Sequence, residues 1–267
     1  MDQPQEKLYV VKIGGNVLDD EIGLNSFLSL FAAMEEKKIL VHGGGNLATQ
    51  LAEKLGIEQT LVDGRRITDA QTLEIVTMVY AGSINKSIVA KLIAKGCPAF
   101  GLCGADGSLI MAHKRIHHSI DYGFVGDVDS VNSRLIDTLL KSDQVLVIAP
   151  ITSDGKGQLL NTNADTIAQE IAKAMSQIYA VELIYSFEKE GVLMDITDEN
   201  SVLETLTPSL YAELKSTQKI FAGMIPKLDN AFSALDAGVK KVIIGKAGSI
   251  DLLIQGKKGT RIIQDGK

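Results

Sequence analysis

The sequence holds only two cysteines, Cys97 and Cys103. They lack CxxC spacing, so a disulfide framework, a zinc site and a thiol redox centre are all disfavoured, and both read as small buried hydrophobes. The four histidines, His42, His113, His117 and His118, follow no HExxH-type spacing. His117 and His118 are expected on a solvated hairpin. No apolar run approaches the roughly 20 residues of a membrane span, and the opening Met1 to Lys7 lacks the apolar core of a signal peptide. A basic excess is also missing. With 27 Lys+Arg against 33 Asp+Glu, the net charge of −6 gives no field to draw in nucleic acid or an anionic membrane, so any anion site must be local. A cytoplasmic protein is expected, without internal repeats or long Pro/Ser-rich linkers.

What is present is a chain of 267 residues, 45% hydrophobic and 22% charged, enough for one large core or two connected lobes. If there are two, the change falls near 176 to 180. The stretch from Ile39 to Ala48 organises the rest. Ile39, Leu40 and Val41 read as a buried strand, Gly43, Gly44 and Gly45 as bare backbone, and Asn46 onward as a helix through Leu55 ended by Gly56. Glycine N–H groups and a helix N-terminus together suit an anion, although a ligand-free glycine turn reads the same way. An earlier strand, Leu8 to Ile13, ends in a second such turn, Gly14 to Asn16, and carries Lys12 one step before its end. That lysine is either an edge residue reaching solvent or a fixed positive charge for phosphate.

A helix from about Leu24 to Lys37 joins the two strands. The β-α-β-α order argues for a parallel sheet with crossover helices, whose ligands gather at the carboxyl ends of the strands. Asp63 to Arg66 reads as a hairpin or loop bearing two guanidinium groups. Thr68 and Gln71 form a capping box for a helix to roughly Tyr80, and Ser83 to Lys95 reads as another. These paired helices suit either a dimer interface or internal packing. Ala99 to Cys103 and Val145 to Ala149 are strands. Leu109 to Ile116 and Phe124 to Val128 suggest a small antiparallel patch, and Asn132 to Leu140 a helix. Asn161, Asn163 and Asp165 crowd the start of a helix with Ala164, Ile167, Ala168, Ile171 and Met175 on its apolar side. A cap explains one of the three polar residues, not all.

Val181 to Tyr185 opens the second half, with Gly191 to Leu193 a further strand or turn and one short helix between 196 and 218. Pro226 fits the first position of a helix closed by Gly238, which leaves Lys227 at a helix N-terminus, where the dipole disfavours a cation unless an anion is near. Val242 to Ile244 and Arg261 to Ile263 complete the strands.

GxxxxGK[ST], HRD and DFG signatures are all absent. Gly43, Gly45 and Ala48 satisfy GxGxxA with Asp63 about 20 residues on, the dinucleotide pattern. This turn follows the second strand rather than the first, and an NAD reading would leave Lys12, Arg66, Asn161 and Lys227 idle. Several cations, two glycine nests and one carboxylate, Asp165, suit phosphoryl transfer instead, where the protein mainly positions reactants and neutralises charge. No general base is evident, and none is needed if the nucleophile is a carboxylate, ionised near pH 7.

LysIleGlyGlyAsn at 12 to 16, ValHisGlyGlyGly at 41 to 45, GlyArgArgIleThr at 64 to 68, AsnThrAsnAlaAsp at 161 to 165 and GlyMetIleProLys at 223 to 227 resemble, in order, the motifs of the N-acetylglutamate kinases within the amino-acid kinase family. The resemblance implies a three-layer αβα sandwich with a mainly parallel open sheet. It divides the chain into an acyl-amino-acid and dimerisation lobe, 1 to 177, and an ATP lobe, 178 to 267. It implies ATP with Mg²⁺ held mainly by the nucleotide, no protein metal ligands, and phosphorylation of the γ-carboxylate of an N-acylated glutamate in arginine biosynthesis. By position, Lys12 and Lys227 would stabilise the moving phosphoryl group and Asp165 would orient both. Gly15 and Gly44 would donate to phosphate oxygens, and Gly44, Gly45, Arg66 and Asn161 would hold the acylated glutamate. Glu188, Gly191, Gly223 and Met224 would lie near the nucleotide.

The chain departs from the family at three places. Phe187 and Glu188 stand where Ser-Asp or Thr-Asp is usual, and Ala222 where Asp is common. GlyLeuCysGlyAlaAsp at 101 to 106 differs from the turn expected near the acyl group, which admits a longer acyl such as succinyl. The few residues before the first strand suggest an arginine-insensitive homodimer. Other readings are a family member acting on another carboxylate or a carbamate, and a catalytically impaired sensor of the same fold.

Overall fold

In a computed structural model of the chain, the described residues are 5–62, 65–195, 197–198, 201–217, 219–220 and 224–266. Eight strands form one sheet, in the spatial order Thr205–Leu206, Thr260–Ile262, Lys241–Lys246, Ala180–Phe187, Lys7–Ile13, Lys37–His42, Val145–Ile148 and Ala99–Leu102. All neighbours run parallel except Lys241–Lys246 with Thr260–Ile262. Helices cover both faces, giving the expected αβα sandwich. A smaller four-stranded sheet contains Leu159–Asn161, Ile151–Ser153, Ile110–Lys114 and Gly126–Val131, the antiparallel patch and its neighbours. No helix among the described residues is long and apolar enough to cross a membrane.

The central strands are apolar throughout because both faces are covered. Leu8 and Val10 belong to one core with Ile167, Ala168, Leu228 and Ala231, from helices Ala164–Met175 and Ile225–Asp236. Tyr9, Val11 and Ile13 belong to the other, with Phe27, Phe31 and Ile88. Burying one such side chain contributes about 2 kcal/mol. The same alternation turns Lys12 to the side of Leu8 and Val10, and Phe187 to the side of Leu183 and Tyr185 in the adjoining strand.

Several local expectations are corrected. The two helices read between Thr68 and Lys95 are one helical run: Ala70–Val76, a π-helical stretch Thr77–Ile84, and Asn85–Ile93. Its cap is Asp69, which accepts from Thr72 N at 2.7 Å. Thr68 is occupied elsewhere, donating to Arg66 O at 3.1 Å and accepting from Asn161 Nδ2 at 3.0 Å. The first glycine turn opens a short helix, Gly15–Asp19, that the sequence reading omitted. Gly191 to Leu193 contributes only an isolated bridge, Leu193 to Val202. Cys97 is buried but Cys103 only half so; burial still pushes the Cys103 thiol up to about 11, which leaves it un-ionised at neutral pH. Asp63, Gly64, Ala222 and Gly223 lie outside the described residues.

His42, given no role by sequence, ends the second strand fully buried. Its Nδ1 lies 2.8 Å from Gly43 O and its Nε2 3.2 Å from Asn85 Nδ2, which also donates to Val147 O at 2.9 Å. These partners require a neutral ring that donates through Nδ1 and accepts at Nε2. Burial, helped by the Lys86 ammonium, lowers the His42 pKa to about 4. The imidazole thus ties the triple-glycine turn to the helical run across the sheet edge.

Because unfolded histidine takes up a proton near pH 6.5 and folded His42 only near 4, the stability this group supplies is whole above pH 6.5. It is lost as pH falls towards 4, by about 3 kcal/mol. Denaturant melts of wild type and His42→Gln across that window should give a shallower loss in the variant. An equally steep loss would assign the acid lability to other groups.

Candidate active site

The carboxyl ends of the central strands carry both glycine turns, and the two are tied together. Asn46 Nδ2, just past the second turn, donates to Asn16 Oδ1 at 3.3 Å and Asp19 Oδ2 at 2.6 Å, and Gly14 N anchors the first turn to the adjoining strand by donating to Ser186 O at 3.3 Å. Two cavities open at this edge. The larger, of about 850 Å³, is lined by Gly15, Phe187, Glu188, Gly191, Met224 and Lys227 among others; the smaller, of about 250 Å³, by Gly44, Gly45, Arg66, Asn161 and Asp165 among others. Lys12 and Gly15 line both. A volume near the top of the usual range of about 300 to 1,000 Å³ suits a nucleotide-sized ligand, whereas the small cavity suits an amino-acid derivative.

Lys12 is buried, and its Nζ meets Asp165 Oδ1 at 2.7 Å. That oxygen is buried and has no hydrogen bond of good geometry among the described residues; the contact is an ion pair. The three polar residues at the helix start divide the work. Asn163 is the cap, accepting from Asp165 N at 2.7 Å and Thr166 N at 3.2 Å. Asn161 bonds Thr68, and Asp165 holds Lys12. Tyr185 OH steadies Asp165 by donating to its backbone O at 3.3 Å.

Lys227, at the start of helix Ile225–Asp236, reaches the same seam. Its Nζ lies 3.7 Å from the centre of the Phe187 ring, and Lys12 Nζ lies 5.3 Å from it. Burial lowers the Lys227 pKa; Asp165 raises it and Lys12 lowers it further. The structure therefore gathers Lys12, Asp165 and Lys227 into one cluster, two cations to one anion.

In the small cavity, Arg66 is fixed by Gln59, by Gly45 O at 3.0 Å and by Thr49 Oγ1 at 2.8 Å. Gly44 has φ +150°, and a Cβ there would fall 2.4 Å from Ile84 and 2.9 Å from Tyr80, so only glycine fits. The π-helical stretch carries both neighbours. Residues 101 to 106 are not among those lining this cavity, whereas Leu61, Tyr80, Arg115 and Val125 are. The sequence reading missed Tyr80 and Arg115. Arg115 is paired in a fork with Asp127, its Nε 3.0 and 3.2 Å from the two carboxylate oxygens. No group of three or more His, Cys, Asp or Glu suited to a metal occurs among the described residues.

Residues 7–246 match the Amino acid kinase family. The chain is 53% identical to the acetylglutamate kinase of Cytophaga hutchinsonii, over 97% of this chain and 99% of that protein. It is 39% identical to the acetylglutamate kinase of Methanopyrus kandleri, over 88% and 93% respectively. Among solved structures, an N-acetylglutamate synthase from Neisseria gonorrhoeae, complexed with coenzyme A and N-acetyl-glutamate, aligns with a TM-score of 0.81 at 20% identity, covering 99% of this chain and 61% of that one. Giardia carbamate kinase aligns with a TM-score of 0.70 at 14% identity, covering 99% and 100%. At these identities the two structures speak for the fold alone.

Since folding lowers the Lys227 pKa, the charged lysine opposes folding at neutral pH. The opposition ends only as pH rises past the unfolded value, near 10.5. Lys227→Met is expected to unfold at an equal or higher temperature than wild type at pH 7. A marked fall in Tm would show that the ammonium supports the fold.

Proposed function

Because the chain belongs to the amino acid kinase family, we propose that it transfers the γ-phosphoryl group of ATP to the side-chain carboxylate of N-acetyl-L-glutamate, a step of arginine biosynthesis. The observation that carries this reading is the sharing of Lys12 by two cavities of unequal size. The larger takes ATP, with Glu188, Gly191 and Met224 on the nucleotide side and Gly15 at its phosphates. The smaller takes the acylated amino acid between Gly44, Gly45 and Asn161, with the Arg66 guanidinium supplying the positive charge for the α-carboxylate. Residues 1 to 177 then form the acyl-amino-acid lobe and 178 to 267 the ATP lobe, although Lys12 and Gly15 serve both cavities.

In the reaction, a carboxylate oxygen of the substrate attacks the γ-phosphorus, one P–O bond forms, and the bond to the β-phosphate breaks. The products are an acyl phosphate and ADP, and no proton moves. Negative charge gathers on the equatorial oxygens, and Lys12 and Lys227, gathered at the seam between the cavities, are the groups that would meet it with little rearrangement. Asp165 keeps Lys12 in place. Magnesium fits as an ion carried by the nucleotide: Asp165, the carboxylate lining the small cavity, is engaged by Lys12, and Mg²⁺ commonly relies on phosphates and water. When bound it would neutralise phosphate charge.

The acetyl group is chosen over succinyl because the relatives named above are acetylglutamate kinases; in the small cavity Arg115 is engaged by Asp127 through Nε and Nη2. A second carboxylate on the acyl chain would have to share that guanidinium with Asp127. Two further elements belong to this reading. The enzyme works in the cytoplasm, where ATP is supplied, and it forms a homodimer. Exposed Phe100 on the edge strand Ala99–Leu102 and exposed Ile93 on the neighbouring helix support the latter.

An ATP-dependent hydroxamate assay on acetylglutamate, succinylglutamate, free glutamate and carbamate is expected to give the highest kcat/KM with acetylglutamate. Lys12→Met should lower kcat by roughly 100- to 1,000-fold, as loss of a transition-state charge partner does. Preference for another acceptor, or a near-normal Lys12→Met, would refute the assignment. Light scattering should give twice the chain mass for wild type and a shift towards the monomer for Phe100→Asp; a monomeric wild type would end the dimer proposal.

A further inference from the structure

The cluster between the cavities has an imbalance. Asp165 Oδ1 meets Lys12 at 2.7 Å, so the one carboxylate at the seam is committed to the first ammonium. The second, on Lys227, sits 3.7 Å from the Phe187 ring centre, well inside the roughly 6 Å reach of a cation–π contact. Lys12 Nζ lies at 5.3 Å from the same ring. The ring is itself held. It stacks on buried Tyr185, with centres 6.2 Å apart and planes inclined by 15°, as residues two apart on a strand permit. Its Cδ1 lies 4.0 Å from where a Cβ on Gly14 would stand.

We propose that Phe187 is a positioning residue that acts through Lys227, its ring face holding that ammonium at the seam where phosphoryl transfer occurs. The chemistry favours an aromatic over a second carboxylate. A carboxylate would hold the lysine but cancel its charge, whereas a ring quadrupole attracts the cation and leaves its full charge for the phosphoryl oxygens. This deepens the kinase reading and rests on it for its catalytic part.

Phe187→Leu keeps apolar bulk and removes the ring; Phe187→Trp supplies a stronger one. The leucine variant should lower kcat by roughly 5- to 30-fold, the range of a cation–π contact losing its aromatic partner, with the KM for ATP and the Tm near wild type. The alkaline limb of kcat should move to lower pH, and tryptophan should restore both. The charged groups facing Lys227 are Asp165 and Lys12; Glu188, Lys189, Asp195 and Lys219 line the rest of that cavity. In unliganded protein, carbon NMR of the lysine ε-methylene should show Lys227 titrating at lower pH in Phe187→Leu than in wild type. An unchanged titration, or a raised KM for ATP with unchanged kcat, overturns the proposal, the latter making the ring a nucleotide wall. Should wild type phosphorylate no acceptor of the hydroxamate panel, the kinase reading falls while the NMR titration still decides whether the ring holds Lys227.

Discussion

The pairing of Lys12 with Asp165 is the contact on which the rest of the site depends. A lysine near the end of a central strand is costly to bury alone, and a carboxylate at 2.7 Å compensates it. The compensation comes from a different layer. Lys12 belongs to the first strand and Asp165 to the first turn of a helix on one face of the sheet, so strand register and helix position together fix where the charge stands. That point is the wall common to both cavities. A one-residue slip of the strand would turn Lys12 to the opposite face, and neither cavity would keep it.

Around that pair the molecule concentrates positive charge in advance of any ligand. Lys227 stays at the seam although burial and Lys12 both disfavour its charge. Arg66 is fixed by three acceptors rather than left to solvent, and the glycine turns present backbone without side chains. Such preorganisation opposes stability locally and favours a transition state that gathers negative charge. The His42 and Asn85 network supplies rigidity of another kind, fastening Gly43 O so that the triple-glycine turn holds its shape.

Much of the architecture was legible in the sequence. Uninterrupted apolar runs such as Val145 to Ala149, each followed by glycine or polar turns, announced a sheet covered on both faces. The crowding of Asn161, Asn163 and Asp165 beyond what a cap requires announced a site, and each now has a separate partner. What escaped depends on contacts distant in sequence or on unusual backbone. Thr68 lost its capping role because Asn161, 93 positions away, occupies its hydroxyl. The π-helical stretch has no periodicity signal to separate it from a helix break at Gly82, and with it Tyr80 was missed. Arg115 belongs to a strand-end loop whose place on the wall of the small cavity is tertiary, and Phe187 read as a departure from a motif rather than as a partner for two lysines.

Two ammonium groups from opposite ends of the chain are proposed to converge on one moving phosphoryl group. A crystal structure with ADP, N-acetylglutamate and a planar fluoride mimic of that group tests it most directly. The Nζ atoms of Lys12 and Lys227 should both stand at hydrogen-bond distance, about 3 Å, from the mimic, with Asp165 still on Lys12. A mimic contacted by one lysine alone, with the other turned to solvent, would contradict it.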